Sequence, residues 1–293
     1  MTEPMRLPVR LAAPAGAVRR ALTDPAELRG WLAEHAEVEL PRRYEFWGRH
    51  TPEGDAPHQR LLHVDDETLR FGWLLDGVET TTEFALRAEG PDTTVLTLSQ
   101  SHFDFAEAMD GSTIRGVLQT YWSLSLANLG AHLEGRPLLP KVDFTSADLR
   151  GELLIDAPTA RVFESLTDSG QASAWFGYPI GIEPWVGGRY AMGGFESGYA
   201  ARVVDLEPGR KLSVDWGPTG VSTWELAESQ GKTKLTFAQS GFDEQNPPYG
   251  AWAGSVSGLA ELRRFHEMKD WQPIWLPAQV PGLEQPEATE ATG

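Results

Sequence analysis

The stretch that decides the fold is APAGAVRRALTDPAELRGWL at residues 13–32, because it returns as APTARVFESLTDSGQASAWF at residues 157–176. Ala, Pro, Val, the Leu-Thr-Asp triplet and Trp stand in identical columns of the two copies. A second pair, TVLTLSQSHFD at 94–104 and TKLTFAQSGFD at 233–243, follows in the same order. Repeated landmarks about 140 residues apart predict two copies of one ordinary domain rather than a solenoid.

The composition is that of a globular and strongly acidic protein. Hydrophobic residues make up 41% of the chain, and 25 Lys and Arg against 42 Asp and Glu give a net charge of −17. This charge repels nucleic acids and anionic membranes, so neither is a predicted partner. The chain has no cysteine and its first residues form no long apolar run, which together favour a cytoplasmic location.

Each copy has the same predicted order of elements: a short strand, two short helices, a β-meander and a long helix. Asp24 and Asp168 are placed to cap the second short helix of their copies. The meander is predicted from short β-branched or aromatic segments separated by glycine-containing turns. Apolar residues at helical spacing predict the closing helices at 111–134 and 250–268.

The predicted fold class is therefore α+β, with two tandem helix-grip domains. In each domain a curved antiparallel sheet of six or seven strands wraps around the long C-terminal helix. The predicted boundaries are 1–140 for the first domain, 146–272 for the second and 273–293 for a tail rich in Pro and Glu. The distal half of the tail is predicted to be disordered. The short polar linker predicts that the two domains touch.

The second copy resembles the C-terminal-domain family of the heat-shock protein 90 ATPase activator, which belongs to the SRPBCC superfamily, also called START-like or Bet v 1-like. The family pattern is a Gly-x-Val strand, an acidic-Pro turn, a Leu-x-x-x-Trp strand, a Thr-x-Leu-x-Leu strand ending in Gly-Phe, and a Trp in the last helix. The matching residues here are Val203, Glu207, Pro208, Leu212, Trp216, Thr233, Leu235, Phe237, Gly241, Phe242 and Trp252. The first copy departs from the pattern, with no Pro in its turn and His102 in place of the Gly.

Motifs of known chemistry are missing from the sequence. There is no phosphate-binding glycine loop, dinucleotide fingerprint or HExxH zinc motif, and the seven histidines are scattered. The sequence therefore predicts no catalytic residue, no metal site and no cofactor.

The candidate ligand-binding residues are those expected to face the space between the second sheet and its helix. Arg189 and Tyr190 align with Arg43 and Tyr44, and they are either core and rim residues or contacts to the polar end of a ligand. Gln239 aligns with Gln100, and it either satisfies backbone groups at a strand end or contacts a ligand. Aromatic residues commonly wall apolar sites. The remaining candidates of this kind are Trp185, Trp216, Trp224, Phe242 and Trp252.

The sequence and the resemblance together predict non-catalytic binding of a small apolar ligand, mainly in the second domain. His102, Phe46 and Trp47 stand where the second copy has Gly241, Met192 and Gly193, so the first domain is expected to be filled and structural. Two alternatives stay open: a polyketide-type aromatase/cyclase, and a co-chaperone or stress-response module with a protein partner. Both belong to the range of functions that this superfamily supports.

Overall fold

The computed structural model describes residues 3–102, 113–198 and 200–279. The first domain runs from an edge strand through two short helices and a meander to a long helix. Its elements are β1 (Met5–Leu11), α1 (Ala15–Thr23), α2 (Pro25–Trp31), β2 (His35–Glu39), β3 (Arg43–Trp47), β4 (Gln59–Val64), β5 (Thr68–Leu75), β6 (Val78–Gly90), β7 (Thr93–Gln100), a 3₁₀ turn (Ile114–Val117) and α3 (Leu118–Leu133).

The second domain repeats this order. Its elements are β8 (Leu149–Ile155), α4 (Thr159–Thr167), α5 (Ser169–Phe176), β9 (Ile180–Ile182), β10 (Arg189–Met192), a 3₁₀ turn (Phe195–Ser197), β11 (Ala201–Glu207), β12 (Lys211–Asp215), a 3₁₀ turn (Gly217–Thr219), β13 (Val221–Ser229), β14 (Lys232–Ser240) and α6 (Tyr249–Glu267). The α+β fold with two tandem helix-grip domains is confirmed. The predicted disorder of the distal tail lies outside the described residues.

The repeated stretch builds the same local structure twice. Asp24 accepts hydrogen bonds from the backbone N–H groups of the first turn of α2, and Asp168 accepts one in α5. The indole N–H of Trp31 donates to the Ala21 carbonyl over 2.9 Å, and that of Trp175 donates to the Ser165 carbonyl over 2.8 Å. The shared Asp therefore starts the second helix, and the shared Trp ties it to the first.

The two domains differ in whether all their strands pair in one sheet. All seven strands of the second domain form one antiparallel sheet in the order β8-β14-β13-β12-β11-β10-β9. In the first domain five strands pair as β1-β7-β6-β5-β4, and β2 and β3 form a separate hairpin. The expectation of six or seven strands therefore fails for the main first sheet. Between β3 of the hairpin and β4 of the main sheet, a side chain replaces the backbone ladder: Gln59 Oε1 accepts a hydrogen bond from the Phe46 N–H over 3.1 Å.

The closing helices α3 and α6 pack against each other and join the domains. Gly250 and Gly254 give α6 a small-residue face, and a Cβ at these positions would lie 3.2 and 3.1 Å from Val117 and Thr120 atoms. Charged pairs lie at the other end of the interface, where Arg264 donates to both carboxylate oxygens of Glu134 at 2.6 and 2.7 Å. The predicted contact between the domains is present in the structure.

Segments from outside each domain complete its core. Leu124 and Ala127 of α3, together with Leu139 and Val142 of the linker, are buried in the core of the second domain. In return, residues 274–279 run along β1 of the first domain, where Arg10 N donates to Ile274 O and Arg6 N to Gln279 O, each over 2.7 Å. The tail thus covers the β1 edge, which would otherwise expose unpaired backbone groups.

Candidate ligand-binding groove

The second sheet presents an aromatic row to α6. Trp224 and Phe237 lie opposite each other on β13 and β14, with ring centroids 5.5 Å apart. Tyr190 of β10 stacks on Trp224 at 6.4 Å with an interplanar angle of 14°, and Trp216 meets Tyr190 edge-on at 5.6 Å. We call this row, with Gln239 and the facing Trp252, the second groove. Trp224, Tyr190 and Trp252 are each less than a tenth exposed, whereas Trp216 is only partly buried.

Five of the eight predicted site residues come together in the second groove, and Phe242 packs beside it, partly buried, after β14. Trp185 does not, because it lies on the turn between β9 and β10 with 56% of its surface exposed. Arg189 also lies outside, since side chains alternate along a strand and its neighbour Tyr190 faces inward. Its guanidinium donates to Glu183 over 2.9 and 3.1 Å and covers the Phe195 ring at 4.4 Å.

The equivalent groove of the first domain is filled with aromatic rings. They form one chain of ring contacts with centroid distances of 4.9–6.4 Å, and each is less than 5% exposed. Its members, the first-groove cluster, are Tyr44, Phe46, Phe71, Trp73, Phe84, Tyr121 and Trp122. This packing leaves the first groove occupied by its own side chains. Of the three residues from which the sequence predicted this, only Phe46 belongs to the cluster. Trp47 alternates with Phe46 along β3 and packs on His35 instead, and His102 is exposed.

Two of these ring positions carry small side chains in the second domain. In the first domain Phe71 lies opposite Thr82, which lies opposite Gln100. In the second domain Val214 lies opposite Ser222, which lies opposite Gln239. Val214 therefore occupies the position of Phe71. In the closing helices Trp252 aligns with Trp122, so the preceding residue, Ala251, occupies the position of Tyr121. The second groove therefore carries smaller side chains than the first at these two positions, whereas Trp224 and Phe237 stand where the registers place Phe84 and Leu98.

A repeated polar pair is bonded in the first domain and unbonded in the second. In the first domain Gln100 Oε1 accepts hydrogen bonds from Trp122 Nε1 over 3.2 Å and from Thr82 Oγ1 over 2.8 Å. In the second domain Gln239 Oε1 and Trp252 Nε1 are both buried, and neither has a hydrogen-bond partner among the described residues. The second groove therefore contains one unused acceptor and one unused donor.

A glycine that the sequence did not single out lies beside Trp252. A Cβ on Gly151 of β8 would lie 2.7 Å from Pro140 of the linker, and 3.8 Å from the Trp252 ring, which is an ordinary contact distance. Gly151 thus lets Pro140 lie directly over β8, and a glycine inside a strand is a recognised sign of such close approach. Trp122 contacts three rings of its groove, whereas within the described ranges Trp252 contacts none.

The Trp216 end of the second groove borders a depression on the protein surface. A depression of about 310 Å³ is lined there by Ala200, Ala201, Arg202, Asp215, Trp216 and Gly217. It ends at the groove rim and does not extend between the sheet and α6. Trp216 closes its inner side with the ring that also contacts Tyr190, so this partly buried side chain separates the depression from the groove.

Two titratable groups near the groove have pKa values shifted in opposite directions. Burial raises the pKa of the Tyr190 phenol well above its usual value, so this hydroxyl stays protonated at neutral pH. The pKa of the Glu183 carboxyl outside the groove is lowered by its hydrogen bonds to Arg189. No group of three or more metal-ligating side chains occurs in the described parts of the chain.

No helix in the described ranges has the length and apolar character needed to cross a bilayer. The chain matches the family model described as Activator of Hsp90 ATPase homolog 1-like protein at residues 12–134 and again at 156–263. No curated protein matches the chain.

Several solved structures are similar to the chain. EF2215 from Enterococcus faecalis is 25% identical, with 43% of this chain and 74% of that chain covered and a TM-score of 0.37. CalU16 from Micromonospora echinospora is 24% identical, covering 45% and 74%, with a TM-score of 0.35. DynU16, a protein in the dynemicin biosynthetic locus, is 18% identical, covering 91% and 100%, with a TM-score of 0.39.

The two family matches correspond to the two halves of the repeat and together span well over half of the chain. The predicted resemblance and the tandem duplication are therefore confirmed. The chain belongs to the family of Activator of Hsp90 ATPase homolog 1-like proteins, and it contains the domain of this family in two copies.

Proposed function

We propose that the second domain binds a small apolar ligand, without turnover, in the second groove. The observation that carries this proposal is the replacement of Phe71 and Tyr121 by Val214 and Ala251, at a groove whose end residue Trp216 is only partly buried. Apolar ligands bind in concave sites walled by aromatic and aliphatic groups. A flat molecule would pack between the Tyr190–Trp224 stack and the start of α6, in place of the missing rings.

Trp216 is the proposed gate to this site. It lies between the outer depression and Tyr190, and it follows the last residue of β12. A rotation of this side chain would join the depression to the groove. Rotations of partly exposed side chains are fast compared with ligand exchange, so such a gate would not prevent binding.

Binding without turnover is favoured over a cyclase reaction by the groove's chemistry. The phenol of Tyr190 has its pKa raised by burial, so it can donate a hydrogen bond but is a poor general base at neutral pH. The other wall residues, among them Val214, Trp224 and Phe237, carry no titratable group. A reaction that moves protons would need a group with a pKa nearer to 7 within reach of the ligand.

The experiment is a titration with the neutral, polarity-sensitive dye 6-propionyl-2-(dimethylamino)naphthalene, followed by its emission. We expect saturable binding with about one site per chain. Val214→Phe restores the ring of the first groove and should weaken binding at least about tenfold, equivalent to about 1.4 kcal/mol. Val204→Phe is the matched control, because Val204 is 42% exposed on the outer side of β11.

Two outcomes would refute the proposal. One is the absence of saturable binding by the wild-type protein. The other is equal affinity for Val214→Phe and wild type, with both variants shown to be folded by circular dichroism. Trp185→Ala provides a second control, since this exposed tryptophan lies outside the groove and its removal should leave the affinity unchanged.

A further inference from the structure

We propose that the ligand of the second groove carries a neutral hydroxyl group, as a phenol does, and that this group bridges Gln239 Oε1 and Trp252 Nε1. This inference rests on the proposed function and names the chemical class of its ligand. It starts from the two copies of one polar pair, which is bonded in the first domain and unbonded in the second.

The orientation of the Gln239 amide is fixed by its other end. Gln239 Nε2 donates to the Thr219 carbonyl over 2.5 Å, and a carbonyl can only accept. The oxygen of the amide is therefore the free end, and it needs a donor. Trp252 Nε1 can only donate, so it needs an acceptor. Both atoms are buried, and a buried polar atom without a partner destabilises the fold.

One hydroxyl group meets both requirements at once. Its hydrogen is donated to Gln239 Oε1, and its oxygen lone pair accepts from Trp252 Nε1. A carboxylate has no hydrogen to donate, and burying its charge without a cation is costly. An ether or ketone satisfies Trp252 alone, and an ammonium group satisfies Gln239 alone. The aromatic walls at Tyr190 and Trp224 favour a flat ring as the carrier of the hydroxyl.

Unpartnered polar atoms also occur in the first groove, namely the hydroxyls of Tyr44, Tyr121 and Thr51 and the indole N–H of Trp73. Trp73 Nε1 is a donor of the same kind as Trp252 Nε1, but its ring contacts that of Tyr121, and the Thr51 and Ser125 hydroxyls adjoin that of Tyr121. A hydroxyl both donates and accepts and can rotate towards its neighbours, so these groups are able to satisfy one another after small movements. Gln239 and Trp252 have fixed and complementary roles, which define the group that fits between them.

The test compares three naphthalenes that differ in one substituent: 2-naphthol, 2-methoxynaphthalene and 2-naphthoate. Isothermal titration calorimetry at pH 7 measures the affinity of each. We expect 2-naphthol to bind at least about tenfold more tightly than either of the other two, because only its hydroxyl both donates and accepts. The preference for the hydroxyl, rather than the absolute affinity, is the quantity that reports on the bridge.

Substitutions identify the two bridging atoms. Trp252→Phe removes the indole N–H and keeps an aromatic ring, and Gln239→Met removes the amide and keeps the length of the side chain. Each should reduce the preference for 2-naphthol over 2-methoxynaphthalene to less than about twofold, if each atom contributes one of the two bonds. The control Trp122→Phe removes the equivalent N–H of the first domain, and it should lower stability but leave the preference unchanged.

The outcomes separate this inference from the proposed function. If the dye and all three naphthalenes bind with similar affinity, the apolar site stands and the hydroxyl bridge is wrong. If neither the dye nor any naphthalene binds, both proposals are wrong. A hydroxyl preference that persists in Trp252→Phe and Gln239→Met would also overturn the bridge, because the preference would then arise elsewhere. Thermal melts of each variant establish that the protein tested is folded.

Discussion

The two grooves are built from the same strands and the same helix, and they differ in what fills them. The first closes around its own aromatic rings and bonds Gln100 directly to Trp122. The second has Val214 and Ala251 at two of the ring positions and leaves Gln239 Oε1 and Trp252 Nε1 without hydrogen-bond partners. Duplication therefore lets one arrangement of strands and helix carry two different sets of groove side chains.

The sequence predicted that the two domains touch, but not that they share core residues. Read alone, residues 146–272 contain every strand and helix of the second domain, which predicts a unit that folds by itself. The structure shows that Leu139 and Val142 of the linker, and two residues of α3, belong to its core. The independence of the second domain is therefore the first part of the comparison to test.

The largest expected effect is from truncation. Residues 146–272 expressed alone should be destabilised by more than about 5 kcal/mol relative to the same domain in the full chain. Its core loses five buried residues, and three of them are Leu124, Leu139 and Ile274, where the loss of a buried Leu or Ile costs about 2–5 kcal/mol. Urea unfolding followed by circular dichroism measures this. A fragment beginning at residue 136 restores Leu139 and Val142 and should recover part of the loss. Equal midpoints for 146–272 and the full chain would show that the domains are independent.

The second effect compares the repeated tryptophans of the two sheets. Trp73 is fully buried and contacts four rings at 5.3–6.4 Å, whereas Trp216 is partly buried and contacts Tyr190. Trp73→Ala should lower the free energy of unfolding by about 3–5 kcal/mol, and Trp216→Ala by no more than about 2 kcal/mol. Urea titrations of both variants give the values. A cost for Trp216→Ala as large as for Trp73→Ala would mean that both grooves are equally packed.

Sequence reasoning located the groove better than it oriented its residues. The repeat and its spacing were enough to place Tyr190, Trp216, Trp224, Gln239 and Trp252 on the sheet and helix that face each other. The orientation of Trp185 could not be obtained in this way, because it depends on a turn between two short strands. The missing partner of Gln239 Oε1 could not be predicted either, since Gln100 has the same sequence context and its Oε1 is bonded.

The closing helices could be predicted only as amphipathic segments. In α3 almost every residue from Tyr121 to Ala131 is buried, because one side packs on the first sheet and the other on α6. A sequence shows that such a helix is apolar but not which partners cover it. The charged residues of α6 gave no sign that they would be buried, because their partners, among them Glu134, lie in the other copy.

The third effect is a pH dependence that one closing helix has and the other lacks. Glu261 of α6 is 1% exposed, and burial raises its pKa to about 7, while the equivalent helix position in α3 is Ala131. It faces Arg264, which lowers its pKa, and Glu134, which raises it. It also accepts hydrogen bonds from Trp271 Nε1 and Ile274 N.

In the unfolded chain this carboxyl has an ordinary pKa, so between pH 4.5 and 7 the folded protein binds more protons than the unfolded one. The contribution of Glu261 to stability should therefore fall as the pH rises, by about 3 kcal/mol at most. Unfolding free energies of wild type and Glu261→Gln across this range isolate it from the other carboxyls. A difference between the two proteins that does not change with pH would contradict the assignment.

The smallest effect concerns the residue that ends the last strand of each sheet. His102 and Gly241 occupy the same place in the repeat, and both have a left-handed backbone, with φ of 55° and 73°. A Cβ on Gly241 would meet nothing within 4 Å, so Gly241→Ala tests the backbone alone. We expect a cost of about 1 kcal/mol, because residues with a Cβ disfavour this conformation.

His102→Gly should give a gain of no more than about 1 kcal/mol, since it removes that strain but also the contact of the ring nitrogen with Ser101 Oγ at 2.9 Å. Thermal melts of the two variants measure both signs. If Gly241→Ala were neutral, or if His102→Gly were destabilising, backbone strain would not distinguish the two copies here, and the glycine of the second domain would need a reason connected with its groove.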